Sequence, residues 1–469
     1  MKDFNILELQ EQMQIGTLSA TKLTQYYIDR IHQYDHLYNS VFEINSDALS
    51  IALELDEERR ERGRRSLLHG IPILLKDNIN ADFDGKLRTT AGALILENLY
   101  ANYDATIVKK LKEAGAIIIG KTNLTEFANI ITDHMPAGFS TLGGQVKNPY
   151  GNFDVGGSSS GSGVAIAMDF CTVAIGTETS GSIIDPASCN GIIGVKPTVG
   201  VASRYGIIPI SWTQDVPGPM SRNIIDAAIV LDIMKGEDHW DASTQLKHSL
   251  PNYLHSLEGA SLIGVKLGLP QGEFIKNVKT EKLEMFYKAV AKFEELGATV
   301  IEVKINNSPH NINKDVLFYE FPIALKKYFE SLGEIAPVKT LEEIVQFNNE
   351  NTQVRAPYGQ TIFERCLALQ KDYEEKYQQA LSDSIKYGKE LEAVIDQSNL
   401  DALLFVGSEG VGIAAKAGYP SVTLPGGYAK ENEPVGITLT GKSFTEDKLL
   451  GYANTFEKHQ QYRYPRSSS

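Results

Sequence analysis

The chain reads as an α/β protein, a central twisted mixed β-sheet covered on both faces by α-helices, and three features carry that reading. Short apolar runs bounded by Gly, Pro or charge, Ile71-Pro72-Ile73-Leu74-Leu75 and Ala116-Ile117-Ile118-Ile119-Gly120, have the length and texture of buried strands. Between them, Ala105 to Ala114 carries Ile107, Val108 and Leu111 at helical spacing. The same alternation returns with a helix over 281–295, a strand over 297–303 and strands near Leu262–Leu269 and Ala402–Val406, as an α/β domain requires.

The elements before Gly70 differ. Ile6, Leu7, Leu9 and Met13, then Leu23, Tyr26, Tyr27, Ile28 and Ile31, recur at helical spacing, so residues 1–65 are expected to form an N-terminal helical layer on a core spanning 66–469. The mixed-sign block Asp56-Glu57-Glu58-Arg59-Arg60-Glu61-Arg62 is expected to be a solvated helix face with i,i+4 pairs. From Gly143 to Gly206 the chain is dense in Gly, Ser and Thr yet threaded with Val164-Ala165-Ile166-Ala167-Met168 and Val173-Ala174-Ile175. A flexible linker lacks such anchors, so this stretch is expected to fold as loops that bring backbone close to a ligand. At about 236–400 the chain is more helical and polar, with Phe318, Tyr319, Phe321, Tyr328, Phe329 and Tyr358 among charges. It is expected to be a variable, pocket-forming segment.

Composition narrows the function. With 42% hydrophobic and 22% charged residues over 469 positions, there is ample apolar material for a core. Forty-five basic against 59 acidic residues leave a net charge of −14, which disfavours nucleic acid or an anionic membrane as a main partner. Cys171, Cys189 and Cys366 are too few and scattered for a disulfide framework and include no Cys-x-x-Cys pair for zinc. The start, Met1-Lys2-Asp3-Phe4-Asn5, lacks the apolar core of a secretory signal, and no run approaches the ~18 apolar residues of a membrane span. The expectation is a cytoplasmic monomer or homodimer, with Arg466-Ser467-Ser468-Ser469 a frayed tail.

Three groups of residues could carry chemistry: Gly156-Gly157-Ser158-Ser159-Ser160-Gly161-Ser162-Gly163, Gly176-Thr177-Glu178-Thr179-Ser180-Gly181-Ser182-Ile183, and Lys76. Lys76 ends an apolar run, a setting expected to desolvate its ammonium and lower its pKa, as a lysine base near neutrality requires, although a lysine at a strand end taken alone is more often simply solvated. A serine hydroxyl is a weak nucleophile until a base lies within hydrogen-bond reach.

Together these blocks resemble the amidase signature family. The resemblance includes Gly70-Ile71-Pro72-Ile73-Leu74-Leu75-Lys76-Asp77-Asn78, Gly120-Lys121-Thr122-Asn123 and Gly191-Ile192-Ile193-Gly194-Val195-Lys196-Pro197-Thr198. It continues through Gly418-Tyr419-Pro420-Ser421-Val422-Thr423-Leu424-Pro425-Gly426-Gly427 and Pro434-Val435-Gly436-Ile437-Thr438-Leu439, and is weakest between about 236 and 400. It implies an amidohydrolase using no metal or cofactor, with Ser182 as nucleophile and Ser158, 24 residues earlier, as a bridging serine on a cis peptide. Lys76 is implied to be the base, and the amides of Thr179, Ser180, Gly181 and Ser182 the oxyanion hole, where a run of small residues lets several N–H groups converge on developing charge. Esters are expected as side substrates.

Competing chemistries have less support. No histidine lies in the motif-bearing loops beyond His69 and His134, and no Gly-x-Ser-x-Gly elbow follows an evident strand, so a Ser–His–Asp triad is not expected. Neither histidine is read as catalytic. No Gly-x-x-x-x-Gly-Lys-Ser/Thr pattern supports nucleotide binding. Two alternatives remain: an amidotransferase A-type subunit releasing ammonia for tRNA-dependent amidation, and a catalytically silent binding protein on the same fold.

The departures from the family pattern are informative. Many members have Gly-Gly-Ser-Ile-Arg where this chain has Ser180-Gly181-Ser182-Ile183-Ile184. The missing arginine weakens the amidotransferase reading and brings the chain nearer the bacterial peptide-amidase-like branch, whose members release ammonia from amides that include C-terminal peptide amides. Asp185 stands where that branch tends to carry a small or sulfur-bearing residue. It would hinder Lys76 if close, but is read as facing a backbone donor. Glu178 and Asp77 are expected to hold loops rather than transfer protons. Met135, Phe139, Tyr205 and Trp212 flank the motifs and are candidates to line a substrate pocket.

Overall fold

The computed structural model describes residues 4–306, 315–370 and 373–460; the expected tail over 466–469 lies outside them. In chain order the strands are β1 (Val41–Ile44), β2 (Pro72–Lys76), β3 (Ile117–Thr122), β4 (Phe139–Ser140), β5 (Gly144–Gln145), β6 (Val173–Glu178), β7 (Ile193–Lys196), β8 (Val216–Ser221), β9 (Lys266–Pro270), β10 (Thr299–Val303), β11 (Ala402–Val406), β12 (Ser421–Tyr428) and β13 (Pro434–Thr440). β4 and β5 pair with each other; the other eleven form one sheet in the order β1-β3-β2-β6-β8-β7-β12-β13-β11-β9-β10. β3, β2 and β6 run parallel to one another, as do β11, β9 and β10, and the pairings from β6 across to β11 are antiparallel. The sheet is therefore mixed, and helices cover both of its faces.

Every residue of β2, β3, β6 and β8 is buried, which explains the continuous apolar runs where a half-exposed strand would alternate. One core cluster joins Ile73, Ile117 and Val173 to Leu23, Val108 and Val164; another joins Leu267, Leu404 and Leu439 to Leu231, Phe286 and Phe456 at the other end of the sheet.

The first 65 residues contain helices Ile6–Gln14, Ala20–Tyr34 and Ala48–Arg62, but also β1, which pairs antiparallel with β3 at the sheet edge. Four half-buried residues are too few for a period-2 pattern to stand out. The charge block is only partly a solvated face, a correction to the sequence reading. Asp56 turns inward and accepts the amides of Ala20 and Thr21 at 2.7 and 2.9 Å, satisfying donors that a helix start leaves unpaired. Arg59 reaches the Gln10 side chain and the His69 carbonyl at 2.7 and 2.9 Å.

The Gly/Ser-rich stretch is also more regular than loops: it contains β5, helix Ser160–Ala167, β6, helix Ile184–Cys189 and β7. Its glycines serve backbone contact. A Cβ on Gly161 would lie 2.3 Å from the Ser40 carbonyl oxygen and 2.4 Å from that of Asn123, so the helix can only pack here without one. Within 236–400, β9 and β10 extend the sheet, while helix Asp315–Leu332 leaves it to face the loop after β7.

Candidate active site

Lys76 is the last residue of β2, fully buried, and its Nζ lies 2.7 Å from Ser158 Oγ. The Thr177 hydroxyl and carbonyl on β6 take its other contacts at 3.0 and 3.2 Å, and Asn78 Nδ2 donates to that hydroxyl at 3.0 Å. Burial lowers the lysine pKa from 10.5 to about 7, against the charges of Glu178 and Asp215, which act to raise it. The neutral amine is therefore accessible at ordinary pH.

Ser158 sits on the loop that enters helix Ser160–Ala167, and the Gly157–Ser158 peptide is cis. Its carbonyl accepts the Thr125 amide at 3.1 Å. The next residue links the two serine loops: Ser159 donates its amide to the Ser182 carbonyl at 3.1 Å and its hydroxyl to the Thr177 carbonyl at 3.2 Å. A side chain on Gly176 would meet the Ser159 hydroxyl at 2.9 Å, so the glycine opening the second motif makes room for the first.

Ser182 lies between β6 and helix Ile184–Cys189. The turn around it is closed by Glu178, whose Oε2 accepts the amides of Ile183 and Ile184 at 2.8 and 2.9 Å, and by the Asp185 amide on the Gly181 carbonyl at 2.7 Å. Gly181 has φ +93°, a conformation that glycine adopts at little cost. Among the described residues, no backbone carbonyl accepts from the amides of Thr179, Ser180, Gly181 or Ser182, and Ser180 is exposed.

Asp185 faces a backbone donor, as read from the sequence: it accepts the Gly157 amide at 3.0 Å and the Ser408 hydroxyl at 2.8 Å. It is absent from the charges acting on Lys76. Asp77 likewise holds a loop, taking the Thr90 amide at 3.2 Å and the Thr90 hydroxyl, beside a fully buried Lys121 at 3.6 Å. His69 is a buried loop residue, hydrogen-bonded to the Leu55 carbonyl at 2.9 Å, and His134 is exposed.

The four pocket candidates do not come together. Tyr205 and Trp212 line one cavity of about 330 Å³ with Tyr103, Trp240, Lys327 and Asp215. Met135 packs against a core cluster containing Phe127 and Phe363, and the Phe139 ring meets that of Tyr358 edge-on at 5.0 Å. Hydrophobic residues near a motif in sequence carry no signal of which way they turn.

Sequence reasoning passed over Thr177, Asn78, Asp215 and Ser408. Thr177 and Asn78 stand inside the matching blocks, directly beside Glu178 and Asp77, and strand alternation toward Lys76 was the available signal. Asp215 and Ser408 lie in segments with no motif of their own.

Comparisons with known proteins identify the family. The family model described as Amidase matches residues 22–408. A solved structure of native peptide amidase from Stenotrophomonas maltophilia superposes with a TM-score of 0.92 at 36% identity, covering 100% of this chain and 99% of that one. A putative amidase of Schizosaccharomyces pombe is 33% identical over 99% of this chain and 86% of its own length. The A-type subunit of the glutamyl-tRNA(Gln) amidotransferase of Marinobacter nauticus is 31% identical over 98% of both. The chain belongs to the Amidase family and is a hydrolase acting on amide C–N bonds.

Proposed function

We propose that the protein cleaves a carboxylic or peptide amide to the acid and ammonia or an amine through a Ser182 acyl-enzyme, with Ser158 and Lys76 moving the proton. The observation that carries this reading is the 2.7 Å contact between a fully buried Lys76 and Ser158 Oγ, at a lysine whose pKa is lowered to about 7. Neutral Lys76 takes the proton of Ser158, which takes that of Ser182 as the Ser182 Oγ–C bond forms. The carbonyl oxygen gains charge opposite the amides of Thr179 to Ser182. Collapse breaks the C–N bond, and the proton returns through Ser158 to the departing nitrogen. Water then attacks the acyl carbon, giving its proton to the same relay, and Ser182 leaves with a proton as the acid is released. An ester passes through the same tetrahedral intermediate, which supports an esterase side activity.

The likeness to peptide amidase supports C-terminal peptide amides as the first substrates to test; a solved structure of that enzyme holds the competitive inhibitor chymostatin. Likeness to the amidotransferase chain supports a second reading, ammonia release within a complex. Against it, Ile184, which is fully buried, stands where the resemblance places an arginine in A-type subunits. The purified chain is to be incubated with primary, peptidyl and aryl amides beside Ser182→Ala and Lys76→Ala. Turnover lost in both variants supports the relay. Turnover retained in Ser182→Ala removes the nucleophile assignment, and no turnover without a partner favours the second reading.

A further inference from the structure

The turn that carries the proposed oxyanion donors is gripped at both ends, and only one grip was visible in the motifs. At the far end Glu178 binds the amides of Ile183 and Ile184. At the near end Thr179 Oγ1 donates to Asp215 Oδ1 at 2.5 Å, and the Thr179 carbonyl accepts Gln214 Nε2 at 3.2 Å. The other Asp215 oxygen accepts the amides of Ile210 and Ser211, both at 2.8 Å, and the Asp215 amide donates to the Ser211 carbonyl at 3.0 Å. With two backbone donors on one oxygen and Thr179 on the other, the carboxylate has little freedom to rotate.

We propose that Asp215 is a positioning residue for acyl transfer, holding Thr179, and with it the turn bearing the oxyanion donors, in register with Lys76. The proposal rests on the relay reading above. Oxyanion stabilisation is sensitive to donor placement, so a fixed anchor on the first residue of the turn bears on the reaction even though Asp215 touches no reacting atom.

Asp215 also acts through charge. The charged groups that bear on Lys76 are Glu178, on the same strand as Thr177, and Asp215. Asp215 itself is pushed up by burial, and is held down by the hydrogen bonds from Thr179, Ser211 and Ile210 and by the Arg204 charge. As an anion it favours protonated Lys76, so removing its charge moves the acidic limb of the activity profile to lower pH. A purely structural residue would leave that limb in place.

Asp215→Asn keeps an acceptor for the two backbone amides and changes the charge. With a C-terminally amidated dipeptide as substrate, it is expected to lower kcat on the order of 10- to 100-fold and move the acidic midpoint of kcat/KM to lower pH. Thr179→Val cuts the tether and leaves the carboxylate in place, so it is expected to lower kcat and to move the midpoint less than Asp215→Asn does. An unmoved midpoint in Asp215→Asn, or wild-type kcat in Thr179→Val, overturns the proposal; if Asp215→Asn does not fold, Thr179→Val decides alone. Ser182→Ala measured alongside separates the readings, since turnover surviving there removes the relay itself.

Discussion

Lys76 Nζ and Ser158 Oγ lie 2.7 Å apart across 82 residues of sequence, in a site from which solvent is excluded on the lysine side. The contact joins the end of a buried strand to a loop at the head of a helix. Burial lowers the lysine pKa, and a neutral lysine at this distance is placed to take a hydroxyl proton.

Replacing that base tests the contact directly. Lys76→Ala is expected to lower kcat on the order of 10⁴-fold. Lys76→Arg should do no better, because a guanidinium does not deprotonate in this range. Stopped assays on a primary amide, with circular dichroism to verify folding, separate lost chemistry from lost structure; an active Lys76→Arg would exclude the lysine as base.

The pH profile has a definite sign. Lys76 works only as the free amine, and its pKa is about 7, so kcat/KM should rise with pH through a midpoint near that value and fall away below it. A profile flat between about pH 5 and about pH 9 is incompatible with a lysine base of this pKa.

Asp185 gives a prediction of a different kind. It joins Gly157 to Ser408, two segments that frame the serine loops, and it does not act on the Lys76 charge. Asp185→Ala leaves the Gly157 amide without that acceptor and is expected to lower kcat by up to about 100-fold, the scale of a catalytic group misplaced by an ångström. The acidic midpoint should stay where it is, so full pH profiles of variant and wild type make the comparison.

Lys121 carries stability rather than chemistry. Its Nζ is fully buried, 3.6 Å from Asp77 and hydrogen-bonded to the Ile79 carbonyl at 2.7 Å and the Thr89 hydroxyl at 2.9 Å. Lys121→Met would strand the Asp77 carboxylate in the interior, and the loss of one partner of a buried pair costs about 3–5 kcal/mol. Urea denaturation should register that loss; an unchanged midpoint would mean Asp77 is carried as the neutral acid.

Local sequence determined much of this protein. The apolar runs at 71–75 and 116–120 point to buried strands because they are short, rich in isoleucine and bounded by Gly70, Gly115 and Gly120. The same run that makes β2 delivers Lys76 to a dry site, but a lysine at a strand end is more often solvated, and only the packing around it fixed its burial and lowered pKa. Glycine and serine at fixed spacing in 156–163 and 176–182 marked the loops where backbone approaches backbone.

Tertiary structure decided the rest. Asp215 meets Thr179 across 36 residues and Ser408 meets Asp185 across 223, and neither partner carries a local pattern that singles it out. Tyr205 and Trp212 enter one cavity while Met135 and Phe139 pack elsewhere. The physical reason is that periodicity and turn chemistry act over a few residues, whereas a hydrogen bond or a shared cavity between distant segments depends on the path of the whole chain.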